Sequence, residues 1–154
     1  VNTRGCIYTH RDGIVLRSTY HVFDLYVNYL GDTVIDCFSS HEEKLNLTDK
    51  NGLSESVDVL DVLCTHRSCD NCYAIAVVNK HPLEEKELVF HLSGLSYPLE
   101  CRTISVNGES KDSYNDVGIN KIAITEGSWQ PFIPYSGIAF DAHSVNVLQI
   151  REKA

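Results

Sequence analysis

Between Leu16 and Leu30, Thr19, Val22, Phe23, Tyr26 and Leu30 recur at three- and four-residue intervals, the stripe of one amphipathic helix. Ser18 or Thr19 is placed to cap its N-terminus, accepting from amides that have no partner inside the helix. Gly31 stands where a left-handed C-cap is expected. Beyond Gly31 the pattern changes to short runs rich in Val, Ile, Thr and aromatics, separated by Gly, Pro, Asn and Asp. Strands are predicted near residues 33–38, 57–65, 72–79, 86–92, 99–106, 120–125, 137–142 and 144–150. In the run from Glu87 to Leu92, Leu88, Phe90 and Leu92 share a face, as in a sheet with one side open to water. The runs 57–63 and 73–78 are more continuously apolar and read as interior strands, joined by a turn at Asp70-Asn71.

Residues 39–56 and 107–118 are rich in Asp, Glu, Lys, Ser and Asn and are expected to be surface loops. Eight strands without crossover helices predict a mainly β fold, an antiparallel jelly-roll-like sandwich preceded by one helix. The 154 residues suit one compact domain and are too few for an eight-stranded α/β barrel, which needs about 250. The opening at Val1, already inside the pattern of a fold, is read as belonging to a longer polypeptide.

Charge and cysteine content narrow the function classes. Thirteen Lys and Arg against 21 Asp and Glu leave a net charge of −8, with no basic run to neutralise a phosphate backbone, so nucleic acid is not an expected partner. The apolar stretches Ile14–Leu16 and Ala74–Val78 are far short of the ~20 residues of a membrane span. Six cysteines lack the dense spacing of a small secreted scaffold, and a reducing cytosol with free thiols is the reading they favour. Cys64, Cys69 and Cys72, followed by Cys101, approach the spacing of a two-iron cluster. The hairpin expected around Asp70-Asn71 sets Cys64 and Cys72 on neighbouring strands instead of one wrapping loop, so no metal is assigned.

The seven histidines show no paired ligand spacing, and GxSxG, GxGxxG and GxxxxGK[ST] are absent. Glu42-Glu43 and Glu84-Glu85 are adjacent in sequence, which points each pair apart or leaves both in solvent. Trp129, Phe132 and Tyr135 could stack on sugar rings, although large aromatics more often plug the end of a sandwich. Asn46-Leu47-Thr48 matches a glycosylation acceptor only for a secreted eukaryotic chain.

The stretch from Arg17 (Arg-Ser-Thr-Tyr-His-Val-Phe-Asp-Leu-Tyr-Val-Asn-Tyr-Leu-Gly) to Asp36, the segments Leu60–Leu63 and Ala74–Pro82, the loop Val106–Gly118 and the closing run His143–Ile150 together resemble the C-terminal part of α-L-arabinofuranosidases of glycoside hydrolase family 51. That resemblance implies a catalytic (β/α)8 barrel followed by a jelly-roll sandwich. Residues 1–30 would be the last strand and helix of the barrel, and 31–154 the C-terminal sandwich. It also implies retaining hydrolysis of terminal arabinofuranosyl residues by two glutamates roughly 5 Å apart. Both lie upstream in the family, so no catalytic residue is expected in this chain, and the chain alone should be inactive. In the family a Gln often follows an Arg before the last barrel helix and reaches the arabinose. Here that position is Ser18, after Arg17, whose shorter side chain has fewer donors.

The expected role is an accessory, structural domain of an exo-acting arabinofuranosidase, with the parent's barrel as its partner and arabinose-containing oligosaccharides reaching it through the parent. Homo-oligomer contacts are compatible with this role, and no cofactor is implied. The alternative is a stand-alone carbohydrate-binding module using the aromatics near Trp129. A third reading is a metal or redox domain built on Cys64, Cys69 and Cys72.

Overall fold

The structure is a computed structural model and describes residues 5–153. The first described elements are a short antiparallel hairpin, β1 (Ile7–His10) and β2 (Gly13–Leu16), in register from Ile7 opposite Leu16 to His10 opposite Gly13. Sequence patterning missed this hairpin because, of its eight residues, only Val15 is buried. Helix α1 follows at Ser18–Tyr29. Its N-cap is Arg17, whose side chain makes no capping bond, so neither Ser18 nor Thr19 caps the helix as expected. Gly31 is not left-handed either, because Leu30 ends the helix in extended conformation. Gly31 is required by close approach: a Cβ there would overlap the His66 carbonyl, and its N–H donates to Thr65 Oγ1 at 2.8 Å.

Most of the remaining chain forms one large sheet. Its elements are β3 (Thr33–Ile35), β6 (Leu60–Arg67), β7 (Cys72–Asn79), β9 (Leu99–Asn107), β10 (Ala123–Glu126) and β13 (Ser144–Glu152) in the order β10-β9-β13-β7-β6-β3. The short β11 (Gln130–Pro131) also pairs with β9, giving seven strands, and every pairing is antiparallel. The β6–β7 hairpin turns at the expected place, with Asn71 at φ 50°, a conformation Asn tolerates better than most residues. Two smaller sheets cover one face: the hairpin of β4 (Lys44–Thr48) with β5 (Ser54–Asp58), and β8 (Lys86–Val89) paired with β12 (Gly137–Phe140). The stretch 39–56, expected to be a loop, therefore holds one strand and the start of a second.

Strand alternation sorts the sheet's residues into two cores. Ile75, Val77, Leu99, Cys101, Leu148 and Ile150 point into the sandwich, where Phe132, Phe140, Leu88 and Phe90 meet them. Ala74, Ile104, Val106 and Val147 point the other way, onto Val22, Leu25, Tyr26 and Tyr29 of α1. Gln149, fully buried on that second face, donates to the Tyr29 carbonyl at 2.9 Å and accepts from Arg102 Nε at 2.9 Å. The helix is thus tied to the sheet by polar bonds as well as by burial. The architecture is a β-sandwich of unequal layers with one helix on its outer face.

Candidate functional site

Ser18, which stands where the resemblance places a sugar-reaching Gln, lies on the wall of a groove of about 460 Å³. The groove opens where the β1–β2 hairpin, the first turn of α1 and the loop before β10 meet. Tyr8 comes from the hairpin, Arg17 and Ser18 from the head of the helix, and Tyr114, Asn115 and Asp116 from the loop. Ser18 is exposed, and its hydroxyl bonds no protein group among the described residues. The Arg17 guanidinium stands 5.4 Å from the centre of the Tyr8 ring and donates to the Gly5 carbonyl at 3.2 Å, so its charge is turned toward the hairpin.

Asn115 holds the groove's two halves together. It is 8% exposed, and its carboxamide nitrogen donates to the carbonyls of Ile122 at 2.7 Å and Leu16 at 2.9 Å. Its oxygen accepts from the amides of Lys121 and Ile122, each at 2.8 Å. Both carboxamide hydrogens and both lone pairs of the oxygen are thereby used. The flanking residues stay outside: Tyr114 is 61% exposed, and Asp116 is exposed with one carboxylate oxygen accepting from the Val117 amide at 2.8 Å. Sequence reading passed over Tyr8, Tyr114, Asn115 and Asp116. The available signal was Tyr114 itself, the one aromatic in an otherwise small and polar loop.

The other sequence candidates do not converge on a site. Cys64 and Cys101 face the sandwich interior, Cys72 faces the helix side of the sheet, and Cys69 is exposed in the β6–β7 turn. All six cysteines are free thiols. Burial pushes the Cys64 thiol up to about 11, helped by the nearby Cys37, and burial likewise raises Cys72 and Cys101. These are inert core thiols. Of the aromatic trio, Phe132 is buried in the sandwich and Tyr135 is exposed beside His91. Trp129 has the guanidiniums of Arg151 and Arg102 at 3.9 and 4.9 Å from its ring. No shared flat platform results.

A third cluster was not anticipated. Glu43, His81 and Glu84 bring ligand-type atoms within 4.8 Å of one another. Lys86 Nζ already lies between the two carboxylates, at 2.8 Å from each. Those carboxylates raise the Lys86 ammonium above its ordinary value, and the hydrogen bond from Lys86 lowers the Glu84 carboxyl. His81 Nδ1 accepts the backbone amides of Glu84 at 2.8 Å and Leu83 at 3.3 Å. The proton of the neutral ring is then on Nε2, which faces Glu84 without a lone pair to offer a metal. The cluster fits an ion-pair network that joins β8 to the approach to β4.

No helix among the described residues is long and apolar enough to cross a membrane. Helix α1 nevertheless exposes Phe23 at 66% and Val27 at 80%, one turn apart on the side away from the sheet. Val34 and Leu63 are also exposed, on the sheet face that the helix lies against.

No family model matches the chain. A protein of Aspergillus niger named "probable alpha-L-arabinofuranosidase C" is 29% identical over 153 residues, covering 97% of this chain and 28% of the relative. A solved arabinofuranosidase structure covers 96% of this chain with a TM-score of 0.80 at 21% identity, using 31% of its own chain. The α-L-arabinofuranosidase of Thermotoga maritima, solved as an arabinose complex, covers 94% with a TM-score of 0.79 at 22% identity, again using 31% of its own chain. The chain thus spans less than a third of these proteins and matches a C-terminal region of family 51 arabinofuranosidases. The catalytic barrel is not within it.

Proposed function

We propose that this chain is the C-terminal accessory domain of a retaining, exo-acting α-L-arabinofuranosidase that releases terminal arabinose from arabinan or arabinoxylan oligosaccharides. On this reading residues 1–30 close the catalytic barrel and residues 31–154 form the sandwich that braces it. The observation that carries it is the near-complete coverage of this chain by a region that is only 28% of the A. niger relative. The physical counterpart is the apolar flank of Phe23 and Val27 on α1. The sheet already covers the opposite side of this helix, and a barrel wall is the surface that would take these two side chains out of water. Both catalytic glutamates would be supplied by the barrel, and Ser18 would stand at the rim of the sugar site. The six free thiols support a reducing, cytoplasmic setting.

The test is a chimera in which this chain replaces the matching C-terminal region of the A. niger relative. The chimera should hydrolyse an aryl α-L-arabinofuranoside while the isolated chain does not, and Phe23→Asp should lower the yield of soluble chimera. Hydrolysis by the isolated chain, or full activity of the relative after this region is deleted, would overturn the reading.

A further inference from the structure

We propose that Asn51, at the tip of the β4–β5 hairpin, is a self-modification site that reacts with water through a cyclic imide to give aspartate and isoaspartate. This chemistry is independent of the function proposed above. The chain contains two Asn-Gly steps, Asn51-Gly52 and Asn107-Gly108. In each, the glycine leaves the backbone nitrogen after the asparagine without a side chain to shield it, so that nitrogen can approach the carboxamide carbon. The reaction is open to both steps, and their surroundings separate them.

Asn51 and Gly52 are both exposed, and a Cβ added to Gly52 would meet nothing within 4 Å. No packed neighbour resists the rotation that brings the Gly52 nitrogen onto Cγ of Asn51. What restrains the turn is Asp49. Its carbonyl accepts from the Gly52 N–H at 3.0 Å, and its carboxylate accepts from the Asn51 amide at 2.8 Å and the Asn51 carboxamide at 3.1 Å. These bonds lie at an exposed hairpin tip, where local opening takes little free energy. Asn107 instead is half-buried and ends β9, paired with Ala123. A Cβ added to Gly108 would lie 2.6 Å from the Ser113 Cβ, and the Gly108 carbonyl is contacted by His143 Nε2 at 3.1 Å. The Gly108 nitrogen is near the Asn107 carboxamide, donating to its oxygen at 2.8 Å, but the backbone around it has no room to turn.

In the reaction, solvent takes the Gly52 amide proton, the nitrogen attacks Cγ of Asn51, and the new C–N bond replaces the bond from Cγ to Nδ2. Nδ2 takes up a proton from solvent and leaves as ammonia. Water then opens the imide at either carbonyl. Cleavage at Cγ leaves aspartate, and cleavage at the main-chain carbonyl leaves isoaspartate, whose backbone runs through Cβ and Cγ. The net change is one water gained and one ammonia lost. Aspartate at this position replaces a donor to Asp49 with a second carboxylate, and isoaspartate adds a carbon to the turn that sets Thr48 opposite Ser54.

Incubation of the 154-residue chain at pH 8, followed by tryptic digestion and mass spectrometry, tests the proposal. The peptide 51–67 should gain the mass of an amide-to-acid change, carrying heavy oxygen when the water is labelled, and should accept methyl groups from an isoaspartate-specific methyltransferase. The peptide 103–111, which holds Asn107, should convert at least about tenfold more slowly in the folded chain. In urea the two should convert at rates within about threefold of each other, because structure and not local sequence separates them. Gly52→Ala should slow conversion of 51–67 by about tenfold or more, its methyl group shielding the nitrogen, with circular dichroism unchanged. Three results would overturn the site: no mass gain in 51–67 of the folded chain when urea permits it, conversion of 103–111 as fast as 51–67, or an unchanged rate in Gly52→Ala.

Discussion

The Asn115 carboxamide nitrogen donates to the Leu16 carbonyl at 2.9 Å, across 99 positions of sequence. This bond joins the loop before β10 to the last residue of β2, immediately ahead of helix α1. With the other bonds of the same side chain, it makes one buried residue the common support of both walls of the groove.

Replacing Asn115 with Leu keeps the branched shape of the side chain but strands two carbonyls and two amides. Each buried group left without a partner costs on the order of 1–3 kcal/mol, although water reaching the loop will relieve some of that. The expected loss is about 2–4 kcal/mol, measured as a lowered urea midpoint. Amide exchange in residues 108–122 should accelerate more than in β7 or β13. A midpoint equal to wild type would show that the loop is not held by this side chain.

Gly31→Ala places a methyl against the backbone carbonyl of His66, where no side-chain rotation can relieve the overlap. It also disturbs the relay in which Thr65 Oγ1 accepts from Gly31 N–H and donates to the Ala74 carbonyl at 3.0 Å. A loss of about 2–4 kcal/mol is expected, in the range of core overpacking and broken buried bonds. Gly52→Ala, with open space around a left-handed backbone, should cost only about 1 kcal/mol. Chemical denaturation of the two variants side by side checks the ordering, and a Gly52→Ala variant less stable than Gly31→Ala would refute it.

How much of this was legible in the chain differs by element. The run 72–79 was read with its true bounds because it is continuously apolar and begins at a turn built from Asp70-Asn71. The hairpin β4–β5 escaped because it lies on the surface, with Leu45 and the opposing Val57 its inward-facing residues. Two inward side chains do not make a visible period. The role of Gly31 was misassigned because composition marks a helix end, while the need for glycine comes from strand β6 passing 35 residues later. Ser18 was singled out by resemblance, but its neighbours Tyr114 and Asp116 reach it only through tertiary pairing. No local pattern encodes that meeting.

Cys64 predicts a pH dependence whose sign follows from its environment. Burial raises its thiol from 9.0 to about 11, so the folded state holds the proton over a range where the unfolded chain releases it. Its contribution to stability is complete below about pH 9 and declines as pH rises from there toward about 11. Cys64→Ala should flatten that part of the stability profile, followed by urea unfolding at several pH values. Cys37 and Cys69, both exposed, should react with an aromatic disulfide reagent in the folded protein at pH 8, while Cys64, Cys72 and Cys101 should wait for unfolding. Immediate reaction of all the cysteines would contradict the burial.

The cluster of Glu43, His81, Glu84 and Lys86 should behave as an ion-pair network and not as a metal site. A divalent ion would have to displace the ammonium that both carboxylates contact at 2.8 Å, and His81 would have to give up its bonds from the Leu83 and Glu84 amides to present a lone pair. Added zinc should therefore leave the melting temperature of the wild-type chain unmoved. Lys86→Ala removes the resident cation and leaves the two carboxylates facing each other, so that variant should melt lower and regain stability with added salt. A zinc-dependent rise in the wild type that is abolished by His81→Ala would reverse the assignment and make the cluster a metal centre.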